Sequence, residues 1–332
     1  MMTAARSFTF IAIISLALTA QLPAATNSVP VKDDRASWEK KPKTVVEHVA
    51  THGLRTLDRV HGALSWGLGE TVDTFDGFFG DERVSEENNG SLLRVSLPWT
   101  FMESREVDFS PSVNARVALP QLQNRLHLIL DELTPADDGA TPADDNEEDR
   151  QVSLGLRFIA KERLHIRFNY DAGVRFNSGL DPFLRARATR AFVLRKWVPR
   201  ITEDLLWTEK ENLKSTSTLN FDRPMVTTVL FRASSRVIWK EDEYGVTPSE
   251  NLFLFWRPSD VRAASLNLGV TGATHPATVV DKYRAAVTYR QRVIRKWIFF
   301  EVTPEAQFPR ERDFKFTPMI TLKMEMIFGP DS

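Results

Sequence analysis

The chain has no cysteine in 332 residues, which excludes disulfides, thiolate metal sites, thiol nucleophiles and a lipid anchor on an N-terminal cysteine. Excess charge is missing as well. A formal net charge of −1 gives no electrostatic drive toward nucleic acid, and 42% hydrophobic content is too high for a disordered polymer. Long apolar runs are scarce. The run Phe8 to Ala20 falls short of the ~18 residues a spanning helix needs, and no later segment supplies one. Arg6 precedes that run and the small residues Ala20, Ala24 and Ala25 follow it, the arrangement of a secretory signal peptide over residues 1–25. An exported chain without a spanning helix can cross a membrane only with strands.

What is present is alternation. In LHIRFNYDAGVRF, Leu164, Ile166, Phe168, Tyr170, Ala172, Val174 and Phe176 fall on one side of an extended chain, and His165, Arg167, Asn169, Asp171, Gly173 and Arg175 fall on the other. Soluble strands run about 5–6 residues. This stretch, at roughly 3.3 Å per residue, reaches ~43 Å and rises ~33 Å when tilted near 40°, enough to clear the ~25 Å apolar band of a membrane barrel. Its polar face carries paired signs, as if facing a lumen. A soluble periplasmic β-sandwich would share the alternation but not strands of this length.

In chain order, a polar linker occupies Thr26 to about Lys43. From Thr44 to Leu68 the period changes: Val46, Val49, Gly53, Leu57, Val60, Leu64 and Leu68 form a helical stripe, backed by His48, His52, Arg55 and Arg59. TFDGFFGDER (Thr74 to Arg83) reads as an aromatic, glycine-punctuated turn. The domain division expected is signal peptide 1–25, periplasmic linker and helical segment 26–90, and barrel 91–329. The fold class expected is all-β, a transmembrane antiparallel β-barrel of 12 to 14 strands preceded by a short amphipathic helix. Fourteen strand spans are expected: 91–101, 108–119, 123–132, 151–161, 163–176, 182–195, 198–209, 212–222, 226–239, 249–257, 261–272, 280–293, 297–305 and 314–328. Those at 182–195, 198–209 and 249–257 slip phase, which suggests bulges. With the N-terminus in the periplasm, the longest connections, 132–150 and 240–249, fall on the outer side, as in outer-membrane barrels.

Trp99, Trp197, Trp207, Trp239, Trp256 and Trp297 fall near predicted strand ends, as an interfacial aromatic girdle would require. The last strand sets Ile320, Leu322, Met324, Met326 and Phe328 on one face, similar to the terminal strand that barrel assembly machinery recognises, although Gly329 to Ser332 follow it. Beyond this general likeness to Gram-negative outer-membrane β-barrels, FDGFFG (75–80), LPQLQNRLHLIL (119–130), FDRPM (221–225) and RKWIFFEVTPEAQFPRERDFKFTPMITLKMEMIFG (295–329) carry a further one. Over residues 74–329 the chain resembles an uncharacterised proteobacterial barrel family. The resemblance implies an outer-membrane location and a barrel, with no activity attached. The partners it suggests are outer-membrane lipids, lipopolysaccharide and the assembly machinery.

The candidate site is the lumen. Pore-lining candidates are Arg94, Arg116, Arg125, Arg157, Arg167, Arg175, Arg185, Arg187, Arg232, Arg236, Arg284, Arg290, Arg292 and Lys323, among Asp131, Asp171, Asp222, Glu301 and Glu325. Rings of arginine favour anions. The competing reading is a closed lumen braced by ion pairs, and a lipid-modifying enzyme is a third. For an enzyme, His127 and His165 point inward without a serine motif beside them, so no catalytic residue is assigned. His48 and His52 have zinc-ligand spacing but share their face with Arg55 and Arg59, and the acidic repeat at 134–149 lacks a fixed ligand loop. No metal or cofactor is therefore expected.

Overall fold

A computed structural model describes residues 71–79, 91–103, 107–119, 125–132, 152–160, 166–176, 179–293 and 295–329. By packing the chain divides at residue 55 into two units, and all described residues belong to the second, Thr56–Ser332. The signal segment, the helical stripe at 44–68 and the acidic repeat lie outside the described residues.

Among the described residues one helix, α1 (71–79), precedes the strands. The strands are β1 (Leu92–Met102), β2 (Asp108–Phe109), β3 (Ser112–Ala118), β4 (Leu126–Glu132), β5 (Val152–Ile159), β6 (Ile166–Phe176), β7 (Leu180–Ala191) and β8 (Val198–Thr208). They continue as β9 (Asn212–Val226), β10 (Val229–Lys240), β11 (Thr247–Ser259), β12 (Arg262–Ala273), β13 (Val279–Arg292), β14 (Ile298–Pro309) and β15 (Thr317–Phe328). Both β2 and β3 pair with β1 and are two pieces of one strand. The break falls where Pro111 on one side and Pro98 on the other lack the N–H a ladder needs. The barrel therefore has fourteen strands. Every strand runs antiparallel to its neighbours, and β1 closes on β15 from Leu93 opposite Phe328 to Met102 opposite Met319.

Burial is inside out relative to a soluble protein. On β6 Asn169, Asp171 and Arg175 are buried while Tyr170 and Phe176 are exposed. The same inversion holds on β5, where Arg157 is buried and Leu154, Leu156 and Phe158 are exposed, and on β11 with Leu252, Leu254 and Trp256. So large an apolar exterior around a polar interior is stable only in lipid. No helix among the described residues is long and apolar enough to cross a membrane; the crossing is made by strands.

The two barrel mouths are set by the hairpins. The terminal mouth holds the start of β1, the end of β15 and two-residue turns at 227–228 and 260–261. The far mouth holds the connection 241–246 and the short η turn Arg310–Arg312. Trp197, Trp256 and Trp297 stand near the terminal mouth, and Trp99, Trp207 and Trp239 near the far one. The six expected girdle residues thus form two belts. Trp297 packs on Phe328 at 4.8 Å, and Trp99 stacks on Phe109 at 5.2 Å.

The bulges expected in β7 and β8 are absent: both ladders of each run without a register shift. In β11 the ladder to β10 is also continuous, and the shift against β12 falls only between Trp256 and Ser259. The phase slip has other causes. On β11 the inner Phe253 and Phe255 alternate with outer apolar residues because both faces are covered, one by lipid and one by α1. On β8 Glu203 lies on the outer face, its two carboxylate oxygens each accepting a hydrogen bond of 2.6 Å from the Ser215 and Ser217 hydroxyls of β9. A glutamate on the lipid side disguises the alternation of Arg200, Thr202 and Asp204 on the lumen side.

Three inner positions on adjacent strands interlock. Gly155 and Gly173 face each other across β5 and β6, and Phe183 on β7 lies over both. A Cβ on Gly173 would stand 2.3 Å from the Leu154 carbonyl oxygen and 2.9 Å from the Phe183 ring. Glycine at both positions leaves the hollow that the ring fills.

Candidate functional site

The helix α1, TVDTFDGFF, is the element on which the lumen is organised. Val72, Phe75, Asp76, Phe78 and Phe79 are buried. Thr74 and Gly77 are exposed. A nine-residue helix spans ~13 Å and is marginal alone in water; the barrel wall holds it. Its phenylalanines pack against Val198, Leu230, Phe253, Phe255, Ala263 and Phe299, all close to the terminal mouth. Phe79 meets Phe255 at 5.0 Å, Phe75 meets the same ring at 6.5 Å, and Phe78 meets Phe299 edge-on at 5.9 Å. Guanidinium groups cap this aromatic layer: Arg290 lies 4.3 Å above Phe299, Arg257 5.4 Å from Phe78 and Arg232 5.6 Å from Phe255.

The helix is also tied by charge. Asp76 receives Arg232 Nη2 at 2.6 Å on Oδ1 and Arg200 Nη2 at 3.2 Å on Oδ2. Those two arginines meet again at Asp222, Arg232 Nε at 2.5 Å and Arg200 Nη2 at 2.7 Å. Two carboxylates and two guanidiniums therefore alternate in one buried group, one carboxylate from the helix and the rest from β8, β9 and β10. Burial of such charges is tolerated because each is paired and hydrogen-bonded.

Further cross-strand pairs brace the wall. Arg157 holds Asp171 through Nε at 2.8 Å and Nη2 at 2.9 Å. Arg185 and Arg187 converge on Asp204, each at 2.8 Å. Arg175 binds Asp181 at 2.5 Å and Glu211 at 3.3 Å, close to the far mouth. Arg290 joins Glu325 and, at 3.0 Å, Glu301, which also takes Lys323 at 2.9 Å. Arg284 pairs with Glu305, and Arg94 lies 3.9 Å from Glu325. Neutral rungs complete the lining, among them Thr100 with Thr321 and Thr288 with Thr303, both 3.1 Å apart.

Thirteen of the sequence-derived lining residues lie on the lumen side: Arg94, Arg116, Arg157, Arg167, Arg175, Arg185, Arg187, Arg232, Arg236, Arg284, Arg290, Arg292 and Lys323. Arg125 does not; it precedes β4 at the terminal mouth and is exposed, because the strand begins only at Leu126. Sequence reasoning missed Asp76, Asp181, Arg200, Asp204 and Glu305. Arg200 and Asp204 were hidden by the outward Glu203. Asp76 was hidden because FDGFF, with a glycine and crowded aromatics, looks like a turn; it is the helix itself. The expected helix at 44–68 lies outside the described residues, so the segment seen entering the mouth is α1. His127 is fully buried in the wall and faces the lumen, away from the lipid side that a lipid-modifying site would need. Among the described residues no cluster of acidic or histidine side chains could hold a metal ion.

No family model and no curated protein sequence matches the chain. Solved structures with similar strand arrangement include OprB of Pseudomonas putida at high pH, at 8% identity over 75% of this chain and 97% of that one, with a TM-score of 0.46. OccK11 (OpdR) of Pseudomonas aeruginosa aligns at 6% identity over 72% and 96%, with a TM-score of 0.44. Outer-membrane-expressed OmpT of Vibrio cholerae aligns at 7% identity over 72% and 97%, with a TM-score of 0.42.

Proposed function

We propose that the chain is a passive outer-membrane channel whose arginine-rich lumen favours anions and whose terminal mouth is closed at rest by α1. The observation that carries this reading is the inward charge balance. Among the described residues, even after Asp76, Asp171, Asp181, Asp204, Asp222, Glu301, Glu305 and Glu325 are set against them, the inward bases outnumber the acids. A water-filled passage between low-dielectric walls, lined this way, lowers the barrier for negative solutes and raises it for positive ones. Outer-membrane lipids and lipopolysaccharide would contact the wall between the tryptophan belts, and the assembly machinery would engage β15.

A second reading, a structural barrel with a permanently closed lumen, draws on the ion pairs: Arg157, Arg232 and Arg290 are almost wholly buried. Planar-bilayer conductance of the full mature chain against a version starting at Asp81 separates the two. The channel reading expects conductance to rise on truncation, with a reversal potential in a KCl gradient that reports chloride over potassium. Silence in both forms would leave the structural barrel.

A further inference from the structure

We infer that the seat of Asp76 is a solute site, one that takes a carboxylate joined to an aromatic body, and that α1 occupies it as a tethered stand-in. The inference rests on the channel reading for its physiological use but not for its test. Three observations meet here. The Asp76 carboxylate is bound through both oxygens, Oδ1 to Arg232 and Oδ2 to Arg200, the planar two-point recognition that guanidinium groups give to carboxylates. Beside it the wall supplies an apolar compartment of Phe253, Phe255 and Phe299, which the helix fills with Phe75 and Phe79, rings one and three residues from the carboxylate. Asp222 supplies only one of the two negative charges in the group. When α1 leaves, the group loses the charge of Asp76, and a ligand carboxylate restores it.

The other ion-pair groups seen among the described residues are built differently. The carboxylates seen on the Arg185–Arg187–Asp204 and Arg157–Asp171 groups belong to the wall and cannot withdraw. At Asp76 the carboxylate arrives on a separate element, and that element brings its own phenyl rings. A passing aromatic carboxylate would reproduce both contacts. Its binding and the seating of α1 are then mutually exclusive, so the solute opens the mouth that the helix closes.

The probe is 3-phenylpropionate, with 3-phenylpropionamide as its uncharged match and acetate as its truncated one. Titration calorimetry on the full chain in detergent compares wild type with Asp76→Asn, which removes the competing charge, and Phe79→Ala, which loosens the helix and leaves the charged group intact. If the seat is open only ~10% of the time or less, either variant binds the probe about tenfold tighter or more. Arg232→Gln added to either abolishes the gain. Because the chain has no cysteine, Val72→Cys in an otherwise native chain reports seating directly, since residue 72 lies on the buried face of α1. Its maleimide labelling is expected to speed up several-fold with 3-phenylpropionate and not with the amide or acetate. Equal affinity in wild type and in both variants, or labelling that ignores the probe, overturns the inference. So does binding that treats the acid and the amide alike. None of these readouts requires conduction, so a silent bilayer would remove the channel and leave the site standing or fallen on its own result.

Discussion

At the scale of single residues, the lumen wall depends on pairs that are expensive to break singly. Arg157 and Asp171 are both almost fully buried and share two hydrogen bonds. Asp171→Ala leaves a buried guanidinium without that partner and is expected to destabilise the fold by about 3–5 kcal/mol, whereas Arg157→Leu combined with Asp171→Leu recovers most of that loss. Urea unfolding of the barrel in lipid vesicles measures both. Glycine positions divide in the same physical way. At Gly173 an added methyl meets backbone, the Leu154 carbonyl at 2.3 Å and the Gly155 Cα at 2.5 Å. At Gly269 it meets first the Asn251 side-chain oxygen at 2.5 Å, which can swing away. Gly173→Ala is therefore expected to destabilise by about 1–3 kcal/mol or more and Gly269→Ala by clearly less, in the same assay.

At the scale of elements, β6 sets which face meets lipid. Phe168 stacks on Tyr170 with centroids 6.5 Å apart on the outer face, and Arg167 stands opposite Thr189 on the inner one. Phe168→Arg puts a charge between the tryptophan belts and is expected to cost about 2–4 kcal/mol, while Arg167→Gln is tolerated. Heat-modifiable gel mobility checks this: a Phe168→Arg barrel that folds as well as wild type, beside an Arg167→Gln barrel that does not, reverses the assignment of faces. The helix α1 obeys a different rule. Its apolar residues have no use in isolation, since a helix this short is not stable in water, and its place is set by the hollow that Val198, Leu230 and Phe299 leave at the mouth.

At the scale of the molecule, the field inside the barrel is the quantity that matters for transport. Screening shortens from a Debye length of ~10 Å at 0.1 M salt to ~3 Å at 1 M. The chloride-over-potassium preference expected for the chain lacking α1 is therefore strongest in dilute salt and falls toward unity as KCl is raised. A preference that does not weaken across that range would point to a tight local site in place of a diffuse arginine field. Both outcomes are read from reversal potentials on one preparation.

Period-two alternation is a local property, and it sufficed to place fourteen strands within a few residues of where they lie and to name the lining of β5, β6 and β10. Lipid on one side and a polar lumen on the other impose opposite preferences on alternate residues, so each strand carries its own record of which way it faces. That record is blurred wherever a third environment intervenes. On β11 the inner face touches the phenylalanines of α1, and Leu252 to Trp256 become apolar without interruption. On β8 two serines from the next strand let Glu203 face outward. The seat of Asp76 is legible from no segment at all. It joins a residue of the helix to Arg200, Asp222 and Arg232, which lie 124 to 156 positions further along the chain, and only closure of the barrel around α1 brings those charges within hydrogen-bonding reach.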